Sequence, residues 1–188
     1  MKPFLLLMPM SVLLMVASLN ALEPALDKTP RMGELAQDFE LRTPDGTPVK
    51  LSILTEKGPV ALIVLRGYPG EQSAVCGRQV ADLINKASGF IDAGATVIVV
   101  YPGAADKLEV HAKEFMADKM LPTNFRFVID PDYVFTNKYG LRWDAKNETS
   151  YPATFVMNAK GLVTYALVSR THGGRAKTEE VLKALSIK

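Results

Sequence analysis

Three residues of this chain have types and spacing that suit thiol chemistry: Pro69, Ser73 and Cys76. Cys76 is the only cysteine among the 188 residues, so it cannot form a disulfide within the chain. A thiol in the first turn of a helix lies beside free backbone N–H groups and the positive end of the helix dipole, which favour the reactive thiolate. Cys76 is therefore a candidate nucleophile. The alternatives are a bridge to a partner or a small apolar core residue.

The segments on either side of Cys76 predict how it is positioned. Residues 60–65 are continuously apolar, which is typical of a central parallel strand covered on both faces. After Cys76, apolar side chains recur at the i, i+3, i+4 and i+7 positions of an amphipathic helix: Val80, Leu83, Ile84 and Ala87. The sequence thus predicts a strand, a loop with Pro69 and Ser73, and a helix that begins near Cys76.

The remaining pattern predicts the architecture. An alternating run on each side of the turn at residues 44–46 predicts an N-terminal β-hairpin. Further strands are predicted at 95–101, 125–129, 154–157 and 162–168. Helices are predicted near 108–116 and after Thr178, which is expected to cap the last helix. Strands that alternate with helices and then close in a hairpin indicate an α/β protein, with a central mixed β-sheet flanked by helices in a thioredoxin-like arrangement.

Composition narrows the classes of function. Apolar residues are 48% and charged residues 22%, as in a globular domain with a sizeable core. The formal net charge of +2 and the lack of a basic stripe argue against a nucleic-acid partner. The two histidines, His111 and His172, are far apart and have no cysteine cluster beside them, so we predict neither a metal site nor a cofactor.

The N-terminus has the pattern of a targeting segment. Within residues 1–21 a lysine precedes an apolar run and small residues, which predicts a cleaved secretory signal. The alternative is an uncleaved anchor that holds the protein to a membrane. Residues 22–32 are predicted to be an exposed linker and 33–188 the folded domain. The expected location is exported, periplasmic or extracytoplasmic, where an odd cysteine suggests a reactive thiol or an intermolecular bridge.

These residues also carry a family resemblance. Proline, three residues, threonine or serine, two residues and cysteine is the motif of peroxiredoxins of the alkyl hydroperoxide reductase/thiol-specific antioxidant (AhpC/TSA) family, and Pro69, Ser73 and Cys76 match it. The similarity extends from residues 33–41 through 139–140 and 152–156 to the C-terminal helix. It implies a thioredoxin-like fold and a peroxidase that reduces hydrogen peroxide or organic hydroperoxides at Cys76. It also implies an external thiol or thioredoxin-like reductant and a homodimer.

The resemblance assigns roles to residues around Cys76, and at one position this chain differs from the family pattern. Ser73 is expected to bond the thiolate or the peroxide, and Pro69 to stiffen and shield the loop. Many family members carry an arginine where this chain has Pro152, so Arg66 or Arg78 is expected to supply the cation. Arg66 is favoured because it ends a parallel strand, where sites of α/β sheets lie. Pro152 instead resembles the proline, often cis, beside the site of thioredoxin-like oxidoreductases.

The lack of a second cysteine is another departure, and it implies a one-cysteine cycle. Two other functions stay open: an extracytoplasmic thiol–disulfide protein, with Ser73 in place of the first cysteine of Cys-x-x-Cys, and a non-catalytic binding module. Ordinary structural roles stay open too, since Ser73 suits a helix cap and Pro69 a turn. His111 is expected on the surface of a helix, and Trp143 and Tyr139 are expected in the packing or at the rim. The His-Gly-Gly-Arg loop at 172–175 matches no phosphate-binding loop.

Overall fold

A computed structural model describes residues 28–186, which form one mixed sheet flanked by helices. The seven strands in this part of the chain are β1 (Glu40–Arg42), β2 (Pro48–Lys50), β3 (Val60–Val64), β4 (Thr96–Gly103), β5 (Phe125–Pro131), β6 (Ala153–Met157) and β7 (Val163–Val168). The helices are α1 (Leu51–Thr55), α2 (Ala74–Asn85), α3 (Ala87–Asp92), α4 (Leu108–Met116), α5 (Val134–Lys138) and α6 (Thr178–Leu185).

The sheet has the order β2-β1-β5-β4-β3-β6-β7. The central strands β3, β4 and β5 are parallel, and β6 and β7 close one edge as an antiparallel pair. At the other edge β1 and β2 pair as the predicted hairpin, with Leu41 opposite Val49. All five residues of β3 are buried, because helices cover both faces of the sheet. The predicted α/β, thioredoxin-like fold with a mixed sheet is confirmed.

The core has one apolar layer on each face of the sheet. Residues of α2, α3, α4 and α6 pack on one face, and Cys76 belongs to this layer together with Ile63 and Tyr101. Residues of α1 and α5 pack on the opposite face, around Leu62 and Phe155. The alternation of side chains along β3 therefore sends Ile63 towards the thiol and Leu62 away from it.

Helix α5 and the start of α6 differ from the predictions. The buried Asp130 carboxylate accepts the backbone N–H groups of Phe135 and Thr136 at 2.8 and 2.9 Å, and so holds the start of the short helix α5, which the sequence pattern did not reveal. Thr178 is the first residue of α6, and its hydroxyl donates to Asp82 at 2.5 Å. The side chain expected to cap α6 instead joins that helix to α2.

The predicted signal or anchor at residues 1–21 lies outside the described residues. Of the predicted linker, residues 28–32 are described, and Thr29 and Pro30 are buried. The Thr29 hydroxyl donates to the carbonyl of Tyr139 at 2.8 Å, so these two residues pack against the domain, whereas Lys28, Arg31 and Met32 are exposed. Between residues 28 and 186, no helix has the length and apolar character needed to cross a membrane.

Candidate active site

Cys76 occupies the first turn of α2. The helix begins at Ala74, and Ser73 is its N-cap: the Ser73 hydroxyl oxygen accepts the backbone N–H of Cys76 at 3.3 Å. The structure thus places the thiol at a helix N-terminus, as the sequence predicts, and gives Ser73 the geometry of a cap. The Cys76 side chain is fully buried, in the layer formed by α2, α3, α4 and α6.

The loop that leads into α2 is fixed by a glycine. Gly67 has a φ of 75°, and a Cβ at this position would lie 1.9 Å from the carbonyl oxygen of Pro102, so no other residue fits. The N–H of Tyr68 donates to the same oxygen at 3.1 Å. The loop is therefore attached to the end of β4 before it reaches Pro69, which is half-buried, and the exposed Gly70.

A guanidinium lies against the sulfur, and it belongs to Arg175. Its Nη2 donates to Cys76 Sγ at 3.3 Å, and its Nη1 donates to Gln79 Oε1 at 2.7 Å. Gln79 is in the next turn of α2, so the two donors of Arg175 contact the same helix. A planar cation held in this way stabilises negative charge on the sulfur and on an oxygen bound beside it.

This finding corrects the predicted choice of cation. Arg66 points to a different loop, where its Nε lies 2.9 Å from Glu148 Oε2 and its Nη2 donates to the carbonyl of Asn147 at 2.9 Å. Arg78 is exposed on α2, because residues two apart on a helix do not share a face. The arginine beside Sγ comes from the 172–175 loop, for which the sequence pattern predicts no function.

Glu148 connects Arg66 to the loop that carries Arg175. Its Oε2 pairs with Arg66, and its Oε1 lies 2.9 Å from His172 Nε2. The Glu148 and Arg66 side chains are each only 12% exposed, which reduces screening by water. Arg66 therefore acts on the thiol site indirectly. It orients Glu148, and Glu148 holds the loop that carries Arg175.

A buried tyrosine and a glutamine hold the segment before α2. The Tyr101 hydroxyl donates to Gln72 Oε1 at 2.7 Å, and Gln72 Nε2 donates to the carbonyl of His111 at 2.9 Å. Burial raises the pKa of Tyr101, so its phenol stays a neutral donor at physiological pH. His111, expected on the helix surface, is half-buried and stacks on Tyr68 with 3.6 Å between ring centroids.

Pro152 lies near the carboxyl end of β3 but has no cis bond. Each peptide bond that the structure describes is trans, so the expected cis geometry is not present. Pro152 is buried and precedes Ala153, which pairs with Val64, and its carbonyl accepts the N–H of Ser169 at 2.8 Å. A proline at the start of a strand needs no donor of its own, and the trans peptide continues straight into β6.

The two aromatic residues expected in the packing or at the rim, Tyr139 and Trp143, make packing contacts. Tyr139 is a core residue whose hydroxyl donates to the carbonyl of Gln37, and Trp143 stacks on Tyr151 at 4.8 Å. The structure groups no three His, Cys, Asp or Glu side chains as metal ligands within residues 28–186.

A mixed sheet with a thiol at the start of the helix after β3 places the chain in the thioredoxin-like class. The family model of AhpC/TSA matches residues 32–166, so the chain belongs to the AhpC/TSA family. Membership supports a thiol peroxidase in general. A search of curated sequences gives no significant match.

Two solved structures illustrate the fold. The crystal structure of peroxidoxin BcpB from Mycobacterium tuberculosis is 21% identical and covers 85% of this chain and 99% of its own, with a TM-score of 0.65. The reduced 2-Cys peroxiredoxin of Plasmodium vivax is 18% identical and covers 82% of this chain and 79% of its own, with a TM-score of 0.61. At these identities the likeness shows the fold alone.

Proposed function

We propose that this protein is a one-cysteine, thiol-dependent peroxidase that reduces hydrogen peroxide or organic hydroperoxides. The observation that carries the proposal is the contact between Arg175 Nη2 and Cys76 Sγ at the N-terminus of α2. A thiol in an ordinary core needs no cation beside it. A thiol that attacks peroxide needs one, because negative charge moves from the sulfur to the leaving oxygen.

The oxidation step follows from this geometry. The Cys76 thiolate attacks one peroxide oxygen, an S–O bond forms and the O–O bond breaks. The cysteine is oxidised to a sulfenic acid, and the second oxygen leaves as water or an alcohol after it takes a proton. Arg175 stabilises the charge throughout, while Ser73 caps the helix whose first turn carries the sulfur.

Access to the sulfur is part of the proposal, since Cys76 is fully buried. Residues 70–72 are exposed, and Gly70 has a φ of 126° with open space around it. We infer that this short segment moves to admit the peroxide, while Gly67 stays fixed against Pro102. The bonds of Gln72 to Tyr101 and His111 would break in that movement.

Reduction requires an external thiol because the chain has no second cysteine. One thiol condenses with the sulfenic acid to give a mixed disulfide and water, and a second thiol releases Cys76 and leaves as the symmetrical disulfide.

A homodimer and an exported location are further proposals, the latter based on the apolar residues near the N-terminus. Size-exclusion chromatography with light scattering and N-terminal sequencing of the mature protein test them.

The experiment that tests the peroxidase is trapping of the sulfenic acid. Wild type and Cys76→Ser are exposed briefly to peroxide with a sulfenate-specific reagent and analysed by mass spectrometry. The expected result is one adduct on the Cys76 peptide, together with peroxide consumption that requires both added thiol and Cys76. An unlabelled Cys76 after millimolar peroxide would contradict the proposal.

A further inference from the structure

The oxidation of Cys76 consumes one proton. When the O–O bond of the peroxide breaks, the departing oxygen carries negative charge and must take a proton to leave as water or an alcohol. Arg175 stabilises that charge, but arginine keeps its protons in proteins, so it does not supply one. A neutral acid held near the sulfur would protonate the departing oxygen as the bond breaks, which is general acid catalysis.

Tyr101 is a buried acid in the same apolar layer as Cys76. It lies near the carboxyl end of β4 and is fully buried, with its ring packed on Phe115 and Phe127 at centroid distances of 5.2 and 5.7 Å. Among the fully buried members of this layer between residues 28 and 186, it is the only one besides the cysteine whose side chain carries an acidic proton. Tyr101 therefore has the functional group that the oxidation step needs.

The Tyr101 hydroxyl is directed at the loop that covers the thiol. It donates to Gln72 Oε1 at 2.7 Å, and Gln72 directly precedes Ser73, the N-cap of the helix that carries Cys76. Gln72 is exposed, so a single side chain separates the hydroxyl from solvent. If segment 70–72 moves to admit the peroxide, the hydroxyl loses this acceptor and faces the space that the substrate enters. The Gln72 amide oxygen occupies the position that an oxygen of the peroxide would then take.

The charge of the sulfur also acts on the Tyr101 hydroxyl. Burial is the main cause that raises the pKa of Tyr101, the hydrogen bond to Gln72 lowers it, and the negative charge of a Cys76 thiolate raises it further. The phenol therefore keeps its proton until a base is formed beside it. Water has a pKa of about 15.7, so hydroxide is a strong enough base to take the proton of this phenol.

We propose that Tyr101 is a further catalytic residue, the general acid that protonates the departing oxygen of the peroxide. The inference rests on the proposed peroxidase function and deepens it. The Cys76 sulfur is oxidised as the S–O bond forms, and the electron pair of the broken O–O bond stays on the departing oxygen. That oxygen takes the hydroxyl proton of Tyr101 and leaves as water or an alcohol. The phenolate regains a proton from water while the loop is open.

The test compares two oxidants whose departing groups differ in basicity. Hydroxide from hydrogen peroxide needs a proton, whereas acetate from peracetic acid leaves as a stable anion. Oxidation of Cys76 by hydrogen peroxide, followed by stopped flow, should be about tenfold slower in Tyr101→Phe than in wild type. This is less than the usual effect of a general acid, because water can replace the hydroxyl. Oxidation by peracetic acid should be unchanged.

Tyr139→Phe is the matched control for this comparison. Tyr139 is also a buried tyrosine, and its hydroxyl donates to the carbonyl of Gln37 at 2.5 Å, but it lies on the opposite face of the sheet from Cys76. Its substitution should change neither rate. Equal slowing of Tyr101→Phe with both oxidants, or no slowing with hydrogen peroxide, would overturn the inference.

A second comparison separates proton donation from the hold on Gln72. If Tyr101 acted only by holding Gln72, Tyr101→Phe would have no further effect in a Gln72→Leu variant. The proposal expects the double variant to react with hydrogen peroxide about tenfold more slowly than Gln72→Leu alone. A double variant as fast as Gln72→Leu would overturn the role of Tyr101 and leave the peroxidase intact. A wild-type protein that forms no sulfenic acid would overturn the peroxidase function, and this role with it.

Discussion

The two sides of the thiol site are built differently. On the sulfur side, Pro69, Ser73, Cys76 and Gln79 lie within eleven consecutive residues, and one helix start positions them. On the cation side, Arg175 comes from a loop 99 residues further along the chain. The first side depends on local backbone geometry, whereas the second depends on tertiary packing.

This difference indicates which side of the site is more easily disturbed by a substitution. The bond between Ser73 and Cys76 forms whenever α2 forms, since it is a helix cap. The Arg175 contact also requires α6 to dock on α2, and it requires the contact of Glu148 with His172 to hold the 172–175 loop. We therefore expect changes on the cation side to affect reactivity with little effect on the local structure around Cys76.

The largest effect is expected from Arg175→Met. Loss of the guanidinium removes the charge beside the leaving oxygen, so oxidation of Cys76 by peroxide should slow about a hundredfold, as for loss of one oxyanion donor. Stopped-flow kinetics measures the rate. Arg175→Lys keeps the charge but cannot contact Cys76 and Gln79 with a planar guanidinium, so it should recover only part of the oxidation rate. Arg78→Met, on the exposed face of α2, is the control and should react like wild type.

The next effect concerns the support for that arginine. Glu148→Gln and Arg66→Met should each slow oxidation about tenfold, because the 172–175 loop then holds Arg175 less well. If Arg66 acts only through Glu148, the double variant is no slower than the slower single variant. A double variant whose losses multiply would show that Arg66 contributes independently and would weaken the distinction between the two sides.

A smaller effect is expected on the sulfur side. Ser73→Ala should lower the free energy of unfolding by about 1 kcal/mol, the usual loss for an N-cap. If the hydroxyl also bonds the peroxide in the transition state, the rate should fall further, tenfold for each 1.4 kcal/mol or so. Urea unfolding and stopped-flow oxidation on the same variant separate these effects. A change in stability alone would make Ser73 a cap and nothing more.

The smallest effect concerns the docking of α6 on α2. Hydrogen bonds from Lys86 and Thr178 lower the pKa of Asp82 against the opposing effect of burial. A carboxyl group whose pKa is lowered on folding stabilises the protein at pH values above its unfolded pKa of 3.8. This stabilisation is lost as the pH falls through the lower pKa of the folded state. Because Asp82 is 46% exposed, we expect Asp82→Asn to cost less than about 1 kcal/mol.

Thermal unfolding at two pH values checks this sign. The melting temperature of Asp82→Asn should lie below that of wild type at pH 7, and the two should converge in strong acid, where the wild-type carboxylate is protonated. A difference that is unchanged in acid would mean that the ion pairs with Lys86 do not stabilise this junction.

The sequence predicted those features that local patterns determine. The apolar run of β3, the helix period after Cys76 and the hairpin turns are properties of short segments, and the structure confirms the fold built from them. The short helix α5 was not predicted, because the buried carboxylate of Asp130 organises its start rather than an apolar period.

The partners of the thiol could not be predicted in the same way. Arg66 ends the strand that leads to Cys76, which made it the favoured cation, but Glu148 draws its side chain away. Arg175 follows two glycines in an exposed loop, and no spacing rule links that loop to residue 76. Its role arises only when α6 packs on α2. The sequence pattern indicates only a strand at Tyr101, although its hydroxyl holds Gln72 in the loop before α2.

The rate at which peroxide oxidises Cys76 in the wild-type protein measures directly how strongly the site activates this thiol. We claim that the N-terminus of α2 and the Arg175 guanidinium together activate it. Stopped-flow measurement should give a second-order rate constant at least about a hundredfold above that of free cysteine under the same conditions. A rate constant equal to that of free cysteine, unchanged in Arg175→Met, would contradict the claim.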